Sequence, residues 1–163
     1  MKIIGVDPGL QKTGWGIIES NGYNLRFVAC GLIRTNSKED LSKRLACLHH
    51  NLTAVLEEWN PKEAAVEETF VNKNPASALK LGQARGVLLA VPAINGIPVE
   101  EYSANKIKKS VVGSGHAAKE QVGMMVKTLL PACGTLKEDE ADALAVAITH
   151  AHYRSINTVI SGA

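Results

Sequence analysis

The sequence predicts one α/β domain, a mixed sheet with helices on its faces, and three observations carry that reading. Three strand-like runs open the chain with short turns between them. The hydrophobic period then switches to that of a helix and alternates between helix and strand. The length of 163 residues suits one domain and is too short for two ordinary ones. Apolar residues make up 45% of the chain and charged residues 21%, so a core can be buried and disorder is excluded.

Residues 2–7 (KIIGVD) are an apolar strand ending in a carboxylate, and Pro8-Gly9 stops it. A second strand follows over 13–19, Asn21-Gly22 signals a hairpin, and a third strand fits 25–34, which together suggest an antiparallel meander. Over 39–58, Leu41, Leu45, Leu48, Leu52, Val55 and Leu56 fall at helical spacing, and Asn60-Pro61 ends the helix. A short strand at 63–68 precedes an Ala/Leu-rich helix at 75–91, terminated by Pro92. Residues 97–102 form the last strand. Helices near 103–111 and 118–130 flank Gly113-Ser114-Gly115, and a final helix spans about 136–153. The domain then covers 1–154, with 155–163 a flexible, fraying tail.

The net charge of +2 and a pI near 8.4 fall short of the values above 9 common in strong nucleic-acid binders. A polyanionic partner would therefore have to be held by local basic patches. Cys30, Cys47 and Cys133 are odd in number, widely spaced and without a CxxC pair, which argues against a disulfide framework or a structural zinc. The opening MKIIGVDPG lacks an apolar signal core, and no window offers about 18 uninterrupted apolar residues. Both features predict a cytoplasmic protein with no membrane association.

The chemistry sits in the acids. Asp7 stands where an apolar strand runs out, and burying it is costly unless it is paired or binds a metal. Glu67 and Glu68 end the strand after the first helix and point to opposite faces, so at most one joins Asp7. In TLKEDEAD, Thr135 and Glu138 have capping-box spacing, which gives Glu138 a structural task. Asp139 and Asp142, three apart, share a helix face beside its positive end, just before the apolar run ALAVAI. Clustered carboxylates repel one another unless a cation neutralises them, and Mg2+ prefers such oxygen ligands. The pattern suits metal-assisted attack on a phosphodiester.

IGVDPG, TGWG, AVEETF, NKNPASALKLGQARG, VVGSGHAAKEQV and DEADALAVAITH, in that order over residues 2–152, resemble the bacterial RuvC Holliday-junction resolvases. The resemblance implies a ribonuclease-H-like fold, a mixed five-stranded sheet flanked by helices on both faces. It implies a homodimer that nicks opposed strands of a four-way DNA junction, leaving 5′-phosphate and 3′-hydroxyl ends. It also implies two Mg2+ ions per site, with Mn2+ able to substitute, and partnership with the RuvA–RuvB branch-migration complex. Carried over by motif, the catalytic and metal-binding acids are Asp7, Glu67, Asp139 and Asp142, which selects Glu67 over Glu68. Some members carry histidine where this chain has Asp139. Actin-like and sugar-kinase ATPases also open with a strand, an acid and a glycine turn, but they need two such domains.

On the DNA side, the resemblance gives Phe70 a stacking role at the junction centre and places Lys108 and Lys119 beside the active site. Lys73 lies near enough to reach phosphate. Arg85 is compatible with either packing or a phosphate contact. His116 is a candidate for a local supporting role, and Gly113–Gly115 is either a phosphate-binding loop or a simple turn. His150 and His152, two apart on a helix, face different directions and read as structural or surface residues. The excess apolar surface of 76–91 predicts part of a dimer interface.

Overall fold

In a computed structural model, which describes residues 1–68 and 74–162 with the Thr158 side chain excepted, the sheet forms as the strand patterns dictate. Strands β1 (Lys2–Asp7), β2 (Lys12–Asn21) and β3 (Asn24–Arg34) make the antiparallel meander; β4 (Glu63–Glu67) and β5 (Val99–Tyr102) run parallel to β1. The order across the sheet is β3-β2-β1-β4-β5. The five helices are α1 (Leu41–Trp59), α2 (Pro75–Ile94), α3 (Ala104–Val112), α4 (Lys119–Leu129) and α5 (Glu138–Ser161).

The period-2 alternation of the strands sorts the core into two layers. Ile4, Val6, Ile17, Ala64 and Val66 pack under α1 and α2, with Leu48, Leu52, Leu88 and Val91. Ile3, Ile18 and Ala65 face the other way, against Leu144, Ile148, Val126 and Ile107 of α3, α4 and α5. By the same alternation Asp7 follows Ile3 and Gly5, and Glu67 follows Ala65, so both acids project on the α5 side. Glu68 has the opposite parity. In register, Val6 pairs with Val66, which brings the ends of β1 and β4 side by side.

Helix α5 lies directly on β1 and β2 because glycines leave room for its backbone. A Cβ on Gly5 would stand 2.1 Å from the Ala143 carbonyl oxygen, and one on Gly16 would stand 2.6 Å from Leu144 Cδ2. Gly5 and Gly16 are cross-strand partners, so the gap spans both strands.

Three expected helix boundaries move. Helix α2 continues through Pro92 to Ile94; the proline sits buried in the last turn, where it forfeits a single helix bond, and its own carbonyl accepts Ile97 N–H at 2.9 Å. The start of α2 carries the expected signals, with Asn74 accepting Ala76 and Ser77 N–H and Pro75 at the first position. Helix α5 begins at Glu138 and not at 136, and Thr135 does not cap it: Glu140 Oε1 accepts the Lys137 N–H at 2.9 Å instead. Helix α5 runs on to Ser161, past the expected end near 153, with Ser155 Oγ bonded to the Ala151 carbonyl at 3.0 Å. Gly113-Ser114-Gly115 is a turn, with Gly113 at φ 96° closing α3.

All three cysteines are free thiols. No helix among the described residues is long and apolar enough to cross a membrane. Substituting Gly5 by Ala should destabilise the protein by about 1–3 kcal/mol, the usual effect of overpacking a core. Urea denaturation checks this, and an unchanged midpoint would show that α5 can retreat without cost.

Candidate active site

Asp7 terminates β1 and is held by the turn that follows. Thr13 Oγ1, fully buried, donates to the Gly9 carbonyl at 2.6 Å and accepts the Gly9 N–H at 3.2 Å, which fixes Pro8-Gly9 beneath the acid. Gly14 pairs across the sheet with Asp7, and a Cβ there would stand 2.0 Å from the Asp139 carbonyl oxygen. The first turn of α5 therefore rests on the strand position beside Asp7. Asp7, Asp139 and Asp142 each present a carboxylate oxygen, all within 4.8 Å of one another. Glu67 joins through a hydrogen bond between its carboxyl group and that of Asp7.

A pocket of about 380 Å³ contains all four acids together with Lys108 and Lys119, over an apolar floor that includes Ile107 and Val122. Burial, then repulsion from Glu67, raises the Asp7 carboxyl from 3.8 to about 9. Burial likewise raises Glu67, against the opposing pull of Lys119 and Lys108, and raises Asp142 in spite of Lys119. In the metal-free protein Asp7 and Glu67 thus share a proton, because two adjacent half-buried carboxylates cannot both ionise cheaply. A divalent cation relieves that conflict, and an all-oxygen donor set suits a hard ion. The residues fit one.

Lys119 is the counter-charge to the cluster. Its ammonium pairs with Glu138 and lies 3.5 Å from Asp142 Oδ2, and the Glu138 bond chiefly raises its pKa. Glu138, expected as a helix cap, serves as this lysine's partner instead. Lys108 lines the same pocket from α3. Phe70 and Lys73 lie outside the described residues.

Other sequence candidates resolve elsewhere. The Arg85 guanidinium pairs with Glu101, away from the acids, with its Nε buried and without a partner among the described residues. His116 lies in the turn before α4, its N–H donated to Ser114 Oγ at 3.3 Å. His150 is buried and structural: Nδ1 meets the Tyr102 hydroxyl at 2.8 Å and Nε2 meets Glu63 Oε2 at 2.6 Å. His152 meets Ser110 Oγ at 2.9 Å. Sequence reasoning missed the Cys30 thiol, which donates to Glu140 Oε2 at 3.1 Å and ties β3 to the first turn of α5. It also missed Gly14. The repeated Gly-x-Gly of TGWG was the available signal, since a side-chain-free face on a strand marks close approach.

The carboxyl shifts set a pH dependence. A carboxyl raised in the folded state binds more protons there than in the unfolded chain between its two pKa values, so stability falls as pH rises through that window. For Asp7 the window runs from 3.8 to about 9, and Glu67 and Asp142 act in the same direction. Thermal unfolding in EDTA should therefore give a melting temperature that declines from pH 5 to pH 9, and Asp7→Asn should flatten the decline. Equal slopes for the two proteins would remove Asp7 from the buried cluster.

The family model for crossover junction endodeoxyribonuclease RuvC matches residues 3–150. The crossover junction endodeoxyribonuclease RuvC of Paramagnetospirillum magneticum is 62% identical over 154 residues, covering 94% of this chain and 93% of that protein. That of Methylocella silvestris is 56% identical over 160 residues, covering 98% and 91%. Among solved structures, T. thermophilus RuvC in complex with a Holliday junction substrate superposes with a TM-score of 0.90 at 33% identity, covering 97% of each chain. The yeast mitochondrial resolvase Ydc2, at 14% identity and a TM-score of 0.67 over 97% of this chain and 83% of that one, shares the fold.

Proposed function

The chain belongs to the crossover junction endodeoxyribonuclease RuvC family, and from that premise we propose that it resolves four-way (Holliday) DNA junctions by hydrolysing one phosphodiester in each of two opposed strands. The observation that carries the proposal is the convergence of Asp7, Asp139 and Asp142, with Glu67 bonded to Asp7, at one edge of a ribonuclease-H-like sheet.

In this reading Asp7, Glu67, Asp139 and Asp142 hold divalent cations, two Mg2+ per site with Mn2+ able to replace them. Bound there, such ions supply Lewis-acid polarisation of the phosphoryl oxygen and a water of lowered pKa. Asp7 and Glu67 would give up the proton between them to such ions, and the four acids together would fix where the scissile phosphate sits. Water adds to phosphorus, the bond to the 3′ oxygen breaks, and the ends are a 5′-phosphate and a 3′-hydroxyl. Lys108 and Lys119 offset phosphate charge at the pocket rim, and Lys119, next to Asp142, is placed to stabilise charge that develops in the transition state. Phe70 stacks on unpaired bases at the junction centre, and Lys73 contacts the backbone.

Paired nicks call for paired sites, and a C2 homodimer presents two to a two-fold junction. The outer face of α2 supports that assembly. Gly82, Gly86 and Ala90 are exposed at four-residue spacing, a Cβ on either glycine would meet open space, and Leu79 and Ile94 are exposed near the helix ends. The dimer acts in the cytoplasm with the RuvA–RuvB branch-migration complex.

Asp7→Asn should lower metal-dependent nicking of a synthetic four-way junction by more than the 10–100-fold typical of residues that merely support a ligand, while junction binding persists. Near-normal nicking would reject the site. Lys108→Ala should make the log–log salt dependence of junction binding shallower by about 0.9, one phosphate contact; an unchanged slope removes Lys108 from the interface. Sedimentation should give a dimer, and a monomer at micromolar concentration with junction DNA present would contradict the two-site arrangement.

A further inference from the structure

Beside the acid pocket lies a second groove, of about 330 Å³, between α4 and the first turn of α5. The two share Lys119 and Asp142 as a common wall. Lys119, Gly123 and Lys127 line this groove at four-residue spacing on one face of α4, and Lys137 lines it from the start of α5. Lys127 and Lys137 are exposed, and neither makes an ion pair or side-chain hydrogen bond among the described residues.

We propose that this groove is a phosphate track, continuous with the acid pocket, along which the DNA backbone leaves the scissile bond. The inference rests on the junction-cutting reading and adds a contact surface to it. From Lys119 to Lys127 is eight helical residues, about 12 Å at 1.5 Å per residue. That is the span of roughly three to four nucleotide steps along a duplex. Lys119 hands the strand from the pocket to the groove, and Lys127 and Lys137 hold it farther along.

Two features mark the groove as built for an occupant. Gly123 sits mid-helix, where glycine is among the poorest helix formers, and nothing lies within 4 Å of the Cβ it lacks. The helix thus gives up local stability at a position that lines the groove and where an added side chain would enter open space. Glu138 occupies the head of the groove as a stand-in anion: its exposed carboxylate holds the Lys119 ammonium. An ion pair between exposed partners is weak, so a polyanion displaces it. Glu120 also lines the groove, and Asp142 belongs to the acid cluster, whose charge a bound cation offsets.

The test is junction binding in EDTA, where no strand is cut, followed by fluorescence anisotropy across a salt series. Lys127→Ala/Lys137→Ala should bind several-fold more weakly than wild type, with a log–log salt slope shallower by about 1.8, two phosphate contacts. Lys43→Ala/Lys62→Ala removes the same charge from exposed positions elsewhere on the fold and should leave the slope unchanged. Glu138→Gln should tighten binding about two- to five-fold, and only while Lys119 is present. Gly123→Leu should raise the melting temperature yet weaken junction binding several-fold, a combination that damage to the fold does not produce. Equal slopes for the two double variants, or wild-type binding by Gly123→Leu, would overturn the track while leaving the cleavage site standing. Failure of the wild-type protein to bind the junction, both in EDTA and with a divalent cation present, would overturn the junction reading itself, and the track with it.

Discussion

The site depends on how closely one helix can approach two strands. A side chain at Gly14 or Gly5 would put its Cβ about 2 Å from a carbonyl oxygen of α5, well inside van der Waals contact. Removing those side chains lets the helix backbone rest on the sheet, so its first turn stands beside the end of β1. Asp139 and Asp142 need no long reach to meet Asp7. An ordinary helix-on-sheet spacing, with side chains of Val or Ile size in between, would carry the two acids away from the first. The spacing of these three acids is thus set by backbone contact and not by rotamers of long side chains.

Further ties keep α5 from sliding or turning on that surface. Near the site, the Cys30 thiol and the Lys137 N–H each take one oxygen of Glu140. Burial first, and then this bond to Glu140, pushes the thiol to about 12, so it acts as a donor and not as a nucleophile. Farther down, His150 joins Tyr102 of β5 to Glu63 of β4, and Arg154 pairs with the same glutamate at 2.9 Å. Burial alone would raise Glu63, but the bonds from Arg154 and His150 outweigh it and hold the carboxyl below its ordinary value. The apolar middle, Ala143–Ile148, fills the space between these polar ties. A helix fixed at both ends and packed in between has little freedom to change the spacing of its acids.

Much of this was legible in the chain, for physical reasons. Strand alternation and helical spacing are short-range signals, and they gave the strands, the helices and the mixed sheet. The parity that selects Glu67 over Glu68 was also present, since Ala65 and Glu67 share a face, but it required knowing which face carries α5. Sequence alone left that open, and the family resemblance closed it. Helix ends were read less well. Thr135 and Glu138 have capping-box spacing, yet Glu140 caps the helix, because Lys119, distant in sequence, draws Glu138 outward. Pro92 looked like a stop but lies where the last turn can absorb it. Local patterns name the candidates for a bond, and tertiary neighbours decide which of them is made.

The same competition governs the charge balance of the site. Four acids in one pocket make a poor surface for DNA, since each would repel an approaching phosphate. Burial eases the problem in the free protein by keeping a proton between Asp7 and Glu67. Lys119 and Lys108 draw Glu67 down and Lys119 draws Asp142 down from the rim, but burial outweighs them and both carboxyls stay raised. Cation and phosphate therefore favour one another. A divalent ion converts the acids from a repulsive wall into an attractive one, and a phosphate adds oxygens that such an ion accepts. Lys119 stands where the two effects meet, held by Glu138 and Asp142 at the rim of the acid pocket, where a cation on the acids would free it for a phosphate. Charge that would weaken a simple DNA-binding surface would, at this one edge of the sheet, couple a divalent cation to its phosphate.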